Sequence, residues 1–346
     1  MRDRCAGELR ELGFAVREIP FEFSGFPGRL ATPLLAGIAA LVVGFAGRWH
    51  AHGRLLVPAT ATVLGAALLF VVARWLARDG VLATPVMRER GVNLEAVRGG
   101  TPTVWVCAHV DSKSQPVPTL LRSSGIVLEV IGYAMTLALA VSTAFGARLD
   151  AFLWDFAAVV TLVGAIPVVL SIVGKRSPGA LDNASGVVTV ISAVRQLSGD
   201  QSVGVLLSDG EELGLAGARA WAKTTTQRTR TVLNCDGVDD IGGIQVMFSG
   251  RRPSRLLDAI ARASRASNVR HGVSRIIPGV LTDSVAFTDA GMDSVTFSRG
   301  TFRSLVRVHT RRDDTTHLAG TGIAETAALI AATAGELERG NRGDRR

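Results

Sequence analysis

Residues 202–212 read Ser-Val-Gly-Val-Leu-Leu-Ser-Asp-Gly-Glu-Glu. The apolar part of this stretch, 202–207, predicts a buried strand, and two adjacent carboxylates follow soon after it. Other polar side chains stand in the same kind of position, at the end of an apolar run or at the start of a helix. These candidate site residues are His109 after 104–108, Asp182 at the start of 182–197, Glu211 and Glu212 after 202–207, and Asp236 after 231–235. Ligands of open α/β sheets bind outside the carboxyl ends of the strands, where we expect these side chains to meet.

Short apolar strands alternate with helices over the rest of the chain, apart from four long apolar runs. Further strands are predicted at 15–23, 244–249 and 294–298, and further helices at 6–12, 213–223, 256–267 and 324–337. This alternation is typical of an α/β fold. We therefore expect a mixed central sheet that is flanked by helices.

The four long apolar runs predict membrane-spanning helices. The runs are 30–47, 55–73, 125–146 and 156–174, and Glu129 is the one charged residue in them. A helix that spans a bilayer needs about 20 apolar residues. The composition agrees, since hydrophobic residues make up 47% of the 346 and the mean hydropathy is +0.30. The alternative is four buried core helices, although uncharged runs of this length are rare in soluble cores.

The four predicted spans form two hairpins, so the rest of the chain lies on one face of the membrane. That face carries residues 1–29, 74–124 and 175–346. Seven basic residues flank the spans there, and three stand in the opposite loops 48–54 and 147–155. The seven are Arg29, Arg74, Arg78, Lys113, Arg122, Lys175 and Arg176, and the three are Arg48, Arg54 and Arg148. Because basic residues are enriched in cytoplasmic loops, this count predicts a cytoplasmic location for the larger face.

The charged residues and cysteines exclude two other classes of protein. The net charge is +8, but the basic residues are spread over the whole chain and all but three of the 38 are arginines. A nucleic-acid site would be a clustered basic patch, so we expect no nucleic-acid partner. Three cysteines without a Cys-x-x-Cys pair predict neither a disulfide framework nor a thiolate zinc site.

Histidine and carboxylate side chains are predicted to converge at one edge of the sheet. His309 follows in a loop-like segment and adds a second imidazole to the group. Bare negative charges crowded in this way repel one another, and a pair of divalent metal ions removes the repulsion. Mixed imidazole and carboxylate ligands suit zinc, and two ions need one bridging carboxylate between them.

Five blocks of sequence resemble, in order and spacing, the M28 family of zinc metallopeptidases, most of which are aminopeptidases. The blocks are Ala108-His109-Val110-Asp111-Ser112, Gly179-Ala180-Leu181-Asp182-Asn183-Ala184-Ser185-Gly186, Asp209-Gly210-Glu211-Glu212-Leu213-Gly214, Asp236, and His309-Thr310 with Asp314-Thr315. The resemblance covers 1–26 and 91–337, apart from the membrane insertions. It implies a zinc-aminopeptidase-like fold and two zinc ions per chain.

The resemblance implies a role for each of seven residues. His109 and Asp236 bind one zinc ion, Glu212 and His309 bind the other, Asp182 bridges both, Glu211 is the general base, and Asp111 holds the His109 ring. The chain departs from the family at three positions. Leu181 replaces an Asp, Ser284 replaces a His, and Val308 stands where some members have a Tyr that helps to stabilise the oxyanion.

These observations predict a membrane-anchored dinuclear zinc aminopeptidase that acts on peptides. The predicted peptidase domain comprises 1–29, 78–123 and 175–338, with transmembrane hairpins at 30–77 and 124–174 and a flexible tail at 339–346. The second hairpin separates Asp111 from Asp182, so we expect substrates to be peptides at or near the lipid bilayer. Two alternatives stay open: an enzyme that resembles the single-zinc glutaminyl cyclases, and a non-catalytic membrane scaffold of the same fold.

Overall fold

The computed structural model describes residues 1–51, 56–224, 230–276 and 280–343, which form two compact units. The sheet unit comprises Met1–Ser24, Met87–Lys113 and Lys175–Arg346, and the helical unit comprises Gly25–Val86 and Ser114–Gly174. The predicted hairpins 30–77 and 124–174 fall within the helical unit. Its helices continue beyond the uncharged runs, and the backbones of Ser114 and Gly174 exchange hydrogen bonds of 2.9 and 2.7 Å.

The sheet unit is built on one mixed sheet, as the sequence predicts. Its strands in the described residues are β1 (Ala15–Ser24), β2 (Arg88–Arg98), β3 (Val104–His109), β4 (Val203–Ser208), β5 (Thr231–Val238), β6 (Gly243–Phe248), β7 (His271–Arg275) and β8 (Asp293–Gly300). Their order across the sheet is β1-β2-β4-β3-β5-β8-β6-β7. Strands β4, β3, β5 and β8 run parallel, whereas β1 and β6 are antiparallel to their neighbours β2 and β8.

The α-helices belong to both units and are numbered along the chain. Those in the described residues are α1 (Arg2–Glu11), α2 (Thr32–Ala51), α3 (Leu56–Trp75), α4 (Val81–Ala83), α5 (Thr119–Ala144), α6 (Ala151–Val169), α7 (Ser185–Arg195), α8 (Ala216–Thr224), α9 (Ser254–Ser267), α10 (Asp283–Asp289), α11 (Phe302–Arg307) and α12 (Thr321–Gly343). Helix α12 extends to 343, into the segment 339–346 that was predicted as a tail. The last three residues lie outside the described residues, as do His52 and Arg54 of the first hairpin loop.

Two strands, β2 and β7, were not predicted from the sequence. Strand β2 carries several charged residues, so its sequence lacks the apolar pattern of a strand. It lies between two other strands, and its charged side chains find partners within the fold. Its Glu95 accepts hydrogen bonds from Arg17 at 2.8 Å and from the indole of Trp221 at 2.6 Å. Strand β7 lies at one edge of the sheet and is largely exposed, so its sequence has no apolar face from which a strand could be predicted.

The centre of the sheet brings three strand ends together. Every residue of β3 and β4 is buried, as expected for parallel strands with both faces covered. Strand β3 pairs with β4 on one side and with β5 on the other, and His109 stands opposite Ser208 in the register. The residues that follow these three strands are therefore neighbours in space.

The helical unit contains four helices that are long and apolar enough to span a membrane. With their continuations they are Pro27–Ala51, Leu56–Ala83, Thr119–Ala144 and Ala151–Val169. Helices α5 and α6 pack closely through small residues, as in membrane bundles. A Cβ atom added to Gly164 would lie 2.4 Å from the backbone nitrogen of Glu129, so this contact requires glycine.

Asp240 anchors the start of α12. Its carboxylate accepts hydrogen bonds from the backbone N–H groups of Gly322 at 2.7 Å and Gly320 at 3.1 Å, and from the hydroxyl of Thr321 at 2.9 Å. Slight burial opposes ionisation, but these donors outweigh it and lower the pKa of Asp240 to about 2. The charged carboxylate therefore satisfies N–H groups that the first turn of a helix leaves unpaired.

We predict that Asp240→Ala lowers the free energy of unfolding by about 0.5–2 kcal/mol, as loss of a helix cap does. The contribution is present above the unfolded-state pKa of about 3.9 and is lost as the pH falls through about 2. Denaturant unfolding in detergent at several pH values measures it, with Asp258→Ala, at an exposed position of α9, as the control for loss of one charge. An equal effect of both substitutions at neutral pH would contradict the prediction.

Candidate metal centre

The structure gathers the predicted site residues at the carboxyl ends of the central parallel strands. His109 is the last residue of β3, Glu211 and Glu212 form a 3₁₀ turn after β4, and Asp236 lies within β5. Asp182 precedes α7 in a segment with irregular backbone angles, and His309 follows α11. All of these side chains belong to the sheet unit.

Two groups of ligand atoms share Asp182. Its Oδ1 lies 3.1 Å from Nε2 of His109, and its Oδ2 lies 3.0 Å from Nε2 of His309. Nε2 of His109 is also 3.6 Å from Oδ1 of Asp236, and Nε2 of His309 is 3.3 Å from Oε1 of Glu212. The groups are therefore His109–Asp182–Asp236 and Asp182–Glu212–His309, and the ligand atoms of each lie within 4.8 Å of one another.

These distances fit ligands of a small divalent metal ion. Ligand atoms at about 2.0–2.1 Å from zinc in a tetrahedral arrangement lie about 3.3 Å from one another. The four contacts of 3.0–3.6 Å bracket that value. Nε2 of His109 is buried and has no hydrogen-bond partner among the described residues, although three carboxylates surround it. A buried imidazole nitrogen that faces only acceptors at these distances is suited to bind a metal.

The carboxylates of the site differ in their affinity for protons. Burial opposes the charged form of Asp182, but the imidazoles of His109 and His309 outweigh it and hold its pKa well below the usual range. Burial raises the pKa of Glu211 well above its usual range, and the adjacent Glu212 contributes to the rise. Asp182 therefore favours the charged form, which binds cations, whereas Glu211 favours the protonated form.

Asp111 lies beside the His109 ring and also contacts the turn that carries the two glutamates. The carbonyl oxygen of its backbone, at 3.0 Å, is the hydrogen-bond partner of Nδ1 of His109, and its side-chain Oδ1 is 3.5 Å away. The carboxylate also accepts hydrogen bonds from the backbone N–H groups of Glu211 at 3.0 Å and Glu212 at 3.1 Å. The side chain of Asp111 therefore fixes the turn that carries both glutamates, while its backbone orients the histidine.

Lys113 is a member of the site that the sequence analysis missed. Its ammonium group lies 2.5 Å from Oε2 of Glu212, and its side chain is only 16% exposed. Burial opposes the charge of Glu212, but the ammonium of Lys113 outweighs it, and the pKa of Glu212 falls to about 2. Lys113 was counted above among the basic residues that flank the membrane spans.

Two further buried carboxylates hold the loops that carry ligands, and sequence analysis singled out neither. Asp313 accepts hydrogen bonds from the backbone N–H groups of Leu181 at 2.6 Å and Asp182 at 3.3 Å. Asp239, which is 1% exposed, binds the guanidinium of Arg307 two residues before His309. The only available signal in the sequence was the proximity of these aspartates to Asp236 and His309 along the chain.

Ser284, which replaces a histidine of the family pattern, belongs to a hydroxyl network. Its Oγ lies 2.9 Å from the hydroxyl of Thr282 and 2.7 Å from that of Thr296, and all three side chains are buried. The neighbouring Asp283 is also buried and accepts a hydrogen bond from Ser208. The position is therefore filled by neutral hydroxyl groups that satisfy one another.

Comparison with protein families identifies one match, to peptidase family M28 over residues 158–334. The matched segment is about half of the chain and contains Asp182, Glu211, Glu212, Asp236 and His309. His109 and Asp111 precede it. No curated protein matches the chain.

Solved structures of similar fold include aminopeptidases and a glutaminyl cyclase. A zinc aminopeptidase from Bacillus subtilis has a TM-score of 0.48 and 17% identity over 72% of this chain, which spans only 50% of that protein's length. An aminopeptidase from Aneurinibacillus sp. strain AM-1 has a TM-score of 0.51 and 14% identity over 96% of this chain and 86% of its own. A glutaminyl cyclase from Fimbriiglobus ruber has a TM-score of 0.53 and 11% identity over 97% of this chain and 86% of its own. At such identities the last two likenesses establish the fold alone.

We predict that Asp111→Ala lowers the affinity for zinc by about 10–100-fold, because the turn that carries Glu211 and Glu212 loses its anchor. Asp111→Asn keeps one side-chain oxygen as an acceptor, so its effect will be smaller. Competition with a chromophoric chelator measures both affinities. Wild-type affinity in Asp111→Ala would show that the turn keeps its shape without the carboxylate.

Proposed function

The chain belongs to peptidase family M28, and from this we propose that it is a membrane-anchored zinc aminopeptidase with two metal ions in one site. The observation that carries the proposal is the shared carboxylate of Asp182, whose two oxygens face different imidazoles at 3.1 and 3.0 Å. One carboxylate common to two groups of ligands is the arrangement that a pair of metal ions requires.

Each group supplies the ligands for one ion. His109 and Asp236 would hold the first, Glu212 and His309 the second, and Asp182 would bridge them. These nitrogen and oxygen donors suit zinc, which is also the metal that the family resemblance implies. When bound, zinc supplies a Lewis acid that makes water more acidic and polarises the peptide carbonyl.

Glu211 would act as the general base. Its carboxylate is buried, and its Oε2 lies 3.9 Å from Nε2 of His109 at the edge of the ligand groups. Because burial raises its pKa, it can accept a proton from water and then donate that proton to the leaving amine. The backbone hydrogen bonds to Asp111 hold Glu211 and Glu212 in one turn. From this turn Glu212 would bind metal and Glu211 would take the proton from water.

A single-metal enzyme that resembles the glutaminyl cyclases is the second candidate. The contact between Lys113 and Glu212 favours it, since one group of ligands already contains a cation of the protein itself. The number of metal ions per chain separates this candidate from the aminopeptidase. A non-catalytic scaffold would bind none.

The four long apolar helices would anchor the enzyme in a bilayer. Seven basic residues flank the spans on the side of the sheet unit, against three in the opposite loops. This excess supports a cytoplasmic location for the sheet unit. Helix α5 begins eight residues after Asp111, so peptides at the membrane surface are the substrates that we propose.

We predict that two adjacent substitutions have different effects. Glu211→Gln will retain the zinc content of the wild type, about two ions per chain, and lower kcat by about 10²–10⁴-fold. Glu212→Gln will lose one zinc ion, because it removes a ligand. Mass spectrometry of metal content and turnover of aminoacyl substrates measure both. One zinc ion in the wild type would favour the cyclase-like candidate, and no zinc in the folded protein would contradict both enzymes.

We also predict the sidedness of the membrane helices. A cysteine introduced at Ala147, in the loop between α5 and α6, will react with a membrane-impermeant maleimide in intact cells. A cysteine at Asp258, an exposed position of α9, will react only after the cells are opened. The three native cysteines are buried and give a low background. The reverse pattern would place the sheet unit outside the cytoplasm.

A further inference from the structure

Helix α11 has an inverted distribution of polar and apolar side chains. Its inward residues are polar: the hydroxyl of Ser304 donates a hydrogen bond of 2.6 Å to the buried carboxylate of Asp239, which also binds the guanidinium of Arg307. Its outward residues are apolar, with Phe302 67%, Leu305 45% and Val306 40% exposed. These three residues are spaced at i, i+3 and i+4, so they share one face of the helix.

An outward apolar face of this kind is not explained by the fold of the sheet unit. A helix on a soluble domain normally buries its apolar face and exposes its polar one. Here the internal network around Asp239 fixes the opposite orientation. Three exposed apolar side chains on one helix face are a candidate contact surface.

The charged residues near α11 indicate which kind of surface its apolar face contacts. The segment 301–312 contains four arginines and no acidic residue, and Arg303, Arg311 and Arg312 are exposed. Apolar side chains beside exposed arginines are the composition of segments that lie in the interface of a membrane, where the arginines meet anionic headgroups.

We propose that α11 docks on an anionic lipid surface, with Phe302, Leu305 and Val306 in the headgroup–acyl boundary and the arginines among the headgroups. This inference rests on the proposed insertion of the chain in a bilayer and goes beyond the peptidase activity. His309 follows α11 by two residues, so the lipid contact holds the loop that supplies one ligand of the metal centre. A membrane-bound peptide would then reach the site at the depth where α11 lies.

The test uses the full-length protein in lipid nanodiscs, with an environment-sensitive fluorophore (NBD) on Phe302→Cys. The native cysteines are buried, which makes the label specific. We expect blue-shifted emission that is quenched by spin-labelled lipids. The matched control is Val273→Cys, an exposed apolar position on β7, where we expect emission typical of water and no quenching. Emission at position 302 equal to that at 273 would overturn the proposal. So would blue-shifted emission that lipid spin labels do not quench, because a protein surface or a peptide substrate would then cover α11.

The role of charge is tested separately. Quenching at 302 should increase when anionic phosphatidylglycerol is added to phosphatidylcholine discs, and this increase should disappear in Arg303→Gln/Arg312→Gln. The control, Arg255→Gln/Arg265→Gln on α9, removes the same charge elsewhere and should keep the increase. An equal loss in both double variants would overturn the headgroup contact. Zinc content is measured on every variant, so that failure of the metal centre is distinguished from failure of the lipid contact.

Discussion

The two oxygens of the Asp182 carboxylate lie between two imidazoles, at 3.1 Å from His109 and 3.0 Å from His309. The rest of the sheet unit serves to hold this carboxylate in that place. Parallel pairing of β3 with β4 and β5 sets His109, the glutamate turn and Asp236 on one side of it. Asp313 binds the backbone of the Asp182 segment, and Asp239 holds α11 before His309. Each ligand is thus fixed by a second carboxylate or by the sheet.

Such a concentration of buried carboxylates is unstable unless cations balance it. Burial opposes a charge on His309, but the carboxylates of Glu212 and Asp182 outweigh it and raise the pKa of His309 to about 9, so a proton on this imidazole provides part of the balance. Lys113 provides another part at Glu212. Metal ions at the two groups would replace the protons and satisfy the nitrogen of His109 that has no hydrogen-bond partner among the described residues. The same charge balance therefore links folding of the site to metal binding.

The sequence predicted the parts of the site that follow from regular structure. His109, Glu211, Glu212 and Asp236 stand at or just after apolar strand runs, and parallel strands end at one edge. Lys113 and the turn-holding role of Asp111 were missed, because a loop conformation decides which charge meets which backbone group. Strand β2 was missed because its charged residues are neutralised by partners distant in sequence. The outward apolar face of α11 follows from a buried ion pair with Asp239, which no local pattern reveals.

X-ray absorption at the zinc edge of the purified protein tests the central claim most directly. Two ions bridged by Asp182 predict nitrogen and oxygen ligands at about 2.0–2.2 Å and a zinc–zinc distance of about 3.5–4 Å. Cys107 and Cys235, which are buried in β3 and β5, predict no sulfur ligand. Sulfur at about 2.3 Å, or zinc with only distant neighbours from solvent, would contradict the assignment of the site.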